Sequence, residues 1–247
     1  MEWFGDLSLL QVVILLVSGF LGSFLSAALG VGGGSFLIVV MADILPPLAL
    51  IPVHGIVQLG SNASRAVLTR KHRQNRVVGW FLCGAVAASL MAVFLLSSMN
   101  PTWIPLMVSL FILWLCWAPM PDIGLGKTPA GLMTGGFLTT IATMLVGASG
   151  PLVSAWLGRS GVDRWAYTAN FSSCMTLQHC LKIVAFGFAG FAFLPWLPLM
   201  AAMVISGYVG TKVGLRVLGK LPEKQFKTVF KWVLTILALR VFWLWLR

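Results

Sequence analysis

Four glycines fall within Gly30-Val31-Gly32-Gly33-Gly34-Ser35, inside an apolar run from about Leu7 to Val40. Each glycine costs a helix roughly 1 kcal/mol relative to alanine, so an ordinary helix cannot continue through this stretch. Its flanks are too apolar for a surface loop. Irregular backbone at membrane depth is tolerated only where it is buried in protein or lines an aqueous cavity, because lipid offers no hydrogen-bond partners. Close helix packing is the simpler use of membrane glycines, but the adjacent Gly32, Gly33 and Gly34 exceed what one packing face requires. The stretch is expected to break a helix, and broken helices point to the binding site of a transporter.

Composition places the chain in a bilayer. Residues of the AVILMFWYC set make up 59% of it and charged residues 9%, whereas a soluble domain is about a quarter charged. The net charge of +11 is gathered in short clusters between apolar runs. That pattern fits the positive-inside signal and contact with anionic lipid, so a lipid bilayer and no nucleic acid is the expected partner. The first apolar run is preceded by Glu2 and Asp6 and by no Lys or Arg. A cleavable signal peptide needs a basic n-region, so this run is expected to remain as a span. Cys83, Cys116, Cys174 and Cys180 lie in apolar segments without a CxxC pair, and packing is the expected role of each.

A span needs about 20 apolar residues. The candidates are 7–29 with a short continuation to about Ile44, then 48–69, 77–98 and 102–118. The second set is 129–146 with a continuation to 157, then 165–187, 192–211 and 226–246. Pro46-Pro47 ends the first short piece, since neither proline can continue a helix. Pro119, Pro121 and Asp122-Ile123-Gly124 mark the connection between halves. Trp103, Trp114, Trp117, Trp196, Trp243 and Trp245 fall near span ends, where an aromatic belt belongs.

The second set repeats the first. Shifted by 116 positions, Gly30 to Ser35 falls on Val146-Gly147-Ala148-Ser149-Gly150-Pro151, which is rich in small residues, degenerate and closed by a helix-breaking proline. The expected architecture is all-α: a polytopic membrane protein of about eight transmembrane segments, in two repeats, 1–121 and 122–247. Each repeat carries a glycine-rich broken or re-entrant helix. One conflict stands. The basic loop 70–76 and the basic segment 212–231 both ask to be cytoplasmic, yet a plain count of crossings puts them on opposite sides. Re-entrant short pieces in inverted halves would remove the conflict.

The span after each break is polar along one face. His54, Gln58, Asn62 and Arg65 are spaced 4, 4 and 3, and Asn170, Cys174, Gln178 and Lys182 are spaced 4, 4 and 4. Such spacing puts each set on one side of a helix. The same offset maps His54 to Asn170 and Asn62 to Gln178. Polar side chains at this depth face a cavity or a partner helix; for a single residue, an interhelical hydrogen bond is the plainer role. Two matched stripes beside two breaks argue for a shared polar pathway. Arg65 and Lys182 sit near span ends, where long side chains can snorkel to the interface instead of joining a site. His54 is the titratable group placed deep in a span that changes charge near neutral pH, with His179 as its rival. Asp43, Asp163 and Glu223 lie at connections, so no carboxylate is placed to hold a cation. Donors and positive charge favour an anion.

These residues resemble the sulfite exporter TauE/SafE family, also called the toluene sulfonate uptake permeases. The likeness covers most of the chain and is strongest from Gly30 to Val78. The family usually has Thr-Ser where this chain has Val53-His54, and a glycine in the basic loop that Lys71-His72-Arg73-Gln74-Asn75-Arg76-Val77 lacks. The resemblance implies multi-pass insertion in a cell membrane, the inner membrane of a bacterium, and transport of sulfite, sulfoacetate, other organosulfonates or thiosulfate. The expected substrate-binding residues are Gly33, Gly34, Ser35, His54, Gln58, Asn62, Ser149, Gly150, Asn170 and Gln178. Backbone N–H groups at helix N-termini suit an oxyanion because they arrive already oriented, with a favourable dipole. No metal ligands, cofactor or nucleophile motif accompany them, so an enzyme is not expected. Homo-oligomerisation and coupling to protons are open to such a carrier. The alternative reading is a non-transporting membrane subunit or scaffold whose polar stripes only join helices.

Overall fold

A computed structural model describes residues 7–30, 32–118, 126, 128–158, 163–218, 220 and 223–247, with backbone alone at 97 and 223–227. The expected Pro119–Gly124 connection and Val31 lie outside the described residues. Those described form ten α-helices. The first five are α1 Leu9–Leu29, α2 Gly33–Ala42, α3 Pro47–Leu68, α4 Asn75–Ser98 and α5 Ile104–Trp117. The second five are α6 Pro129–Val146, α7 Gly150–Leu157, α8 Arg164–Phe188, α9 Leu197–Arg216 and α10 Glu223–Trp245.

Local sequence sets the helix ends. Ser8 and Gln11 form a reciprocal capping box at the start of α1. The Thr128 hydroxyl accepts from Gly131 N–H before α6, and Asp163 accepts from Trp165 and Ala166 N–H before α8. Pro47 and Pro129 sit in the first turn, where the missing N–H is no loss. Both breaks lie where the sequence puts them. α1 stops at Gly30 (φ 90°) and α6 stops at Gly147 (φ 77°), a left-handed backbone that glycine reaches without steric cost. The irregular stretches are shorter than expected: Gly33 and Gly34 already form the first turn of α2, Val146 closes α6 and Gly150 opens α7. Lys212 and Arg216 belong to the last turns of α9 rather than to a loop.

The short helices do not continue the long ones; they fold back. Gly22 of α1 faces Gly33 and Leu37 of α2, and Ser26 faces Gly33, so the two helices form an antiparallel hairpin. α2 in turn runs antiparallel to α3, with Gly34 beside His54 and Gln58. α7 returns along α6, where the Trp156 indole lies on Gly135 and donates to Gly131 O at 2.6 Å. Of the two courses the sequence allows, continuation or re-entry, the short helices take the second. Positive φ at Gly30 and Gly32 lets the chain reverse there, and backbone contact at Gly22–Gly33 holds the hairpin.

The long helices then interlock. α3 and α8 cross antiparallel at the centre, with His54 against His179 and Arg65 against Phe171. α5 and α10 are antiparallel, pairing Trp103 with Trp245 at one end and Trp117 with Trp232 at the other. α1 and α9 are parallel: Ser206 Oγ donates to Leu16 O, Gly210 faces Phe20 and Gly214 faces Phe24. α4 and α6 meet backbone to backbone at Gly84 and Gly136, the close approach that small residues allow between membrane helices.

Among the described residues, five helical segments are long and apolar enough to cross a membrane: Leu9–Leu29, Asn75–Leu96, Pro129–Val146, Leu194–Arg216 and Thr228–Trp245. α3 and α8 fall outside that set because their polar stripes lower their hydropathy. Both are sheltered by the others, and the outer faces carry Leu10, Phe94, Leu138, Phe188 and Ile236, each exposed for lipid to cover. The chain is an all-α, multi-pass membrane protein.

Candidate functional site

Both fold-back turns deliver a helix N-terminus to the same place. Gly147 lies against Ile38 of α2 and Ile51 of α3, which ties the second break to the first hairpin. Between them is a small, partly open cavity. Ser26, Gly32, Gly34 and Ser35 line it from the first break, and 147–151 from the second. His54, Gln58, Asn62 and Arg65 enter from α3, and Phe171, Met175 and His179 from α8.

The first N–H groups of a helix have no partner within it, and no side chain caps Gly32 at the start of α2 or Ser149 at the start of α7. The lining adds donors and buried polar atoms without protein partners: Ser35 Oγ, His54 Nδ1, Arg65 Nε and Nη1, and both ring nitrogens of His179. Leaving such groups dry and unpaired costs about 1–3 kcal/mol each, more when charged. A wall of this kind asks for an occupant that accepts hydrogen bonds. No Asp or Glu is among the described lining residues, so a cation finds no countercharge there.

Seven of the ten expected site residues line the cavity: Gly34, Ser35, His54, Gln58, Asn62, Ser149 and Gly150. His54 Nε2 donates to Gly34 O at 3.0 Å, so the imidazole pins the first turn of α2 and turns Nδ1 free. Asn62 donates to Gln58 Oε1 at 3.2 Å and to Gln58 O at 2.8 Å, holding the two amides in series along α3. The other three lie behind the wall. Gly33 is pressed into the α1–α2 contact. Gln178 gives both its amide hydrogens to Thr139 and Thr140 (2.8 and 2.9 Å) and accepts from Ser149 at 3.1 Å. Asn170 exchanges two bonds with Gln74: it accepts from the backbone N–H at 2.8 Å and donates to Oε1 at 3.1 Å. The first-half stripe thus faces the cavity, whereas the second-half stripe largely makes the interhelical bonds of the plainer reading.

Snorkelling does not describe either long cation. Arg65 is 1% exposed and Lys182 fully buried. Lys182 Nζ donates to Gly147 O at 3.0 Å, at the C-terminal, electronegative end of α6. That bond holds the C-terminal end of α6 at the second break. Arg65 Nη2 donates to Asn62 Oδ1 at 2.5 Å and its guanidinium carbon stands over the Phe171 ring, 5.4 Å from the centroid. The sequence signal for Arg65 was its place on the His54 stripe; for His179, it was only a histidine in a polar span. Met175 and Phe171 carried no signal apart from helical spacing.

With this geometry in place, comparison with known families adds one finding. The family model described as "Sulfite exporter TauE/SafE" matches residues 15–241, which is nearly the whole chain. The chain belongs to that family, a family of membrane transporters for sulfite-type anions. Neither the curated proteins nor the solved structures contain a significant match.

Proposed function

We propose, from the premise that the chain belongs to the sulfite exporter TauE/SafE family, that it is a secondary carrier for a small sulfur-containing anion. Sulfite, sulfoacetate or another organosulfonate binds between the two breaks. The observation that carries this reading is the convergence of two uncapped helix N-termini on one cavity rich in unpaired donors. A sulfonate or sulfite head needs several converging donors, and an α2 or α7 N-terminus offers them preoriented. Backbone N–H groups at Gly34, Ser149 and Gly150 supply the first set, and Ser35 and the Gln58 amide nitrogen the side-chain donors. His54 holds Gly34, and Asn62 holds Gln58, in place behind them. Gln178 and Asn170 act one step back, Gln178 by orienting Ser149 and Asn170 by fastening the 70–76 loop to α8.

The same reading treats α1–α5 and α6–α10 as two inverted repeats. Exchanging the halves turns the α1–α9 contact into α6–α4 and α3–α9 into α8–α4, and returns α3–α8 and α5–α10 to themselves. The self-paired helices are antiparallel, so the exchange axis runs across them, in the membrane plane. With α2 and α7 as return legs, α3 and α9 point the same way. Their basic C-terminal ends, Arg70 to Arg76 and Lys212 to Lys220, then share the cytoplasmic face required by positive-inside. Cysteines placed at the exposed Arg73 and Lys220 are expected to react with an impermeant maleimide only from the cytoplasmic side, and one at Asn100 only from the other. Labelling of Arg73 and Lys220 from opposite sides would end the inverted arrangement.

Flux decides the function. Purified protein in liposomes is expected to carry labelled sulfite or sulfoacetate down an imposed gradient; turnover of the anion would instead indicate an enzyme, and neither result a scaffold. Proton coupling, if it operates, runs through His54, which His179 and Lys182 face from α8 and Arg65 accompanies on α3. His54→Gln is then expected to flatten the pH dependence of transport. An unchanged pH profile in a folded variant reduces His54 to holding Gly34.

A further inference from the structure

Arg65 brings to the cavity a positive charge that no acidic side chain among the described residues balances. Arg65 is 1% exposed, lines the cavity, and has Nε and Nη1 without a protein partner. The other long basic side chain buried nearby, Lys182, donates its Nζ to Gly147 O. Asp43, the nearest acid in sequence to α3, is engaged with Arg240 at 3.0 Å. A guanidinium stays protonated at neutral pH, and a buried charge without a partner is strongly unfavourable. Its surroundings look built for reception rather than neutralisation. Asn62 takes one nitrogen and Phe171 covers one face.

We propose that Arg65 is the fixed countercharge of the substrate site: Nε and Nη1 donate to the anionic oxygens of the bound ion. This rests on the anion-carrier reading and deepens it, because it makes an ionised oxyanion the form recognised and excludes uncharged forms such as the free acid. It also gives the site a direction. On α3, Arg65 lies eleven residues beyond His54, about 16 Å at the helical rise, toward the 70–76 loop. The charge therefore sits at the end of the cavity nearest the basic loop, and the backbone donors complete the shell deeper in.

Calorimetric titration of the purified full chain with methanesulfonate, sulfite, sulfate, acetate and chloride tests both readings separately. Arg65→Gln is expected to weaken every oxyanion about ten- to a hundredfold, the usual scale for a charged hydrogen bond. Arg65→Lys, which keeps the charge but not the planar fork, should recover part of that loss. Arg240→Gln, on an exposed pair, should change nothing. Wild-type affinity in Arg65→Gln overturns the proposal and leaves the carrier reading standing. Arg65-dependent binding of acetate or sulfate without sulfite or methanesulfonate does the reverse. No binding of any anion to the wild type overturns both. Should Arg65→Gln fail to fold, the wild type still decides. In ¹⁵N-arginine-labelled protein the Nε–H resonance absent from Arg65→Lys must shift on titration, and a stationary resonance overturns the assignment.

Discussion

Gly34→Leu is expected to lower affinity for the transported anion at least about a hundredfold, near 2.7 kcal/mol, while the protein stays folded. Gly34 opens α2 at the cavity wall, and a β-carbon there would meet Gln58 Nε2 at 3.2 Å and Cδ at 3.3 Å. Those are the ends of a flexible side chain, so Gly34→Ala should be mild, displacing the amide by a few tenths of an ångström. A leucine goes further. Its isobutyl group occupies the space in front of the α2 N-terminus and separates the anion from several donors at once, each worth about 1.5–3 kcal/mol to a charged acceptor. Gly150→Leu acts from the opposite break and should have a loss of similar size. Titration calorimetry reads the affinity, and thermal unfolding with gel filtration checks the fold. Undiminished binding in Gly34→Leu would place the anion elsewhere, and Gly34→Leu and Gly150→Leu both binding normally would leave the breaks as packing devices.

One residue earlier the expected outcome is different in kind. Gly33→Val should destroy the fold, costing more than about 3 kcal/mol. The β-carbon at Gly33 coincides with the carbonyl of Gly22 and comes within 2.6 Å of Ser26 Oγ, and in return a β-carbon at Gly22 would lie 2.7 Å from Gly33 O. Backbone faces backbone on both sides. No rotamer change can relieve that overlap, so α1 and α2 would have to separate, which exceeds the usual 1–3 kcal/mol of overpacking between side chains. Loss of monodisperse protein from detergent extracts, beside a normal yield of Gly34→Ala, is the expected pattern. A Gly33→Val protein with wild-type thermal stability would mean that α2 does not fold back on α1.

The neighbouring pair illustrates what was legible in advance. Adjacent glycines inside hydrocarbon-length apolar sequence exceed what one packing face needs and so read as a break, and both breaks lie within a residue or two of where the spacing puts them, because left-handed backbone at Gly30 and Gly147 is cheap only for glycine. The polar stripes were equally visible, since a spacing of three or four residues fixes a common helix face whatever surrounds it. Family membership followed from the same residues.

What lies opposite a face is not encoded in its periodicity. Asn62 and Gln178 occupy matched positions on α3 and α8, yet the first lines the cavity and the second is spent on Thr139, Thr140 and Ser149. Only the packing of α6 beside α8 distinguishes them. Arg65, near a span end, reads as free to reach the interface; burial beneath Phe171 is a consequence of the α3–α8 crossing. The sequence by itself determined that this chain is helical, membrane-embedded and twice broken, because those properties follow from solvation and backbone sterics along the chain. The tertiary structure alone decided that the short helices turn back, that the basic ends of α3 and α9 share one face, and that a buried guanidinium stands in the cavity between the breaks. Each of these depends on contacts between residues remote in sequence, where close backbone approach outweighs local preference.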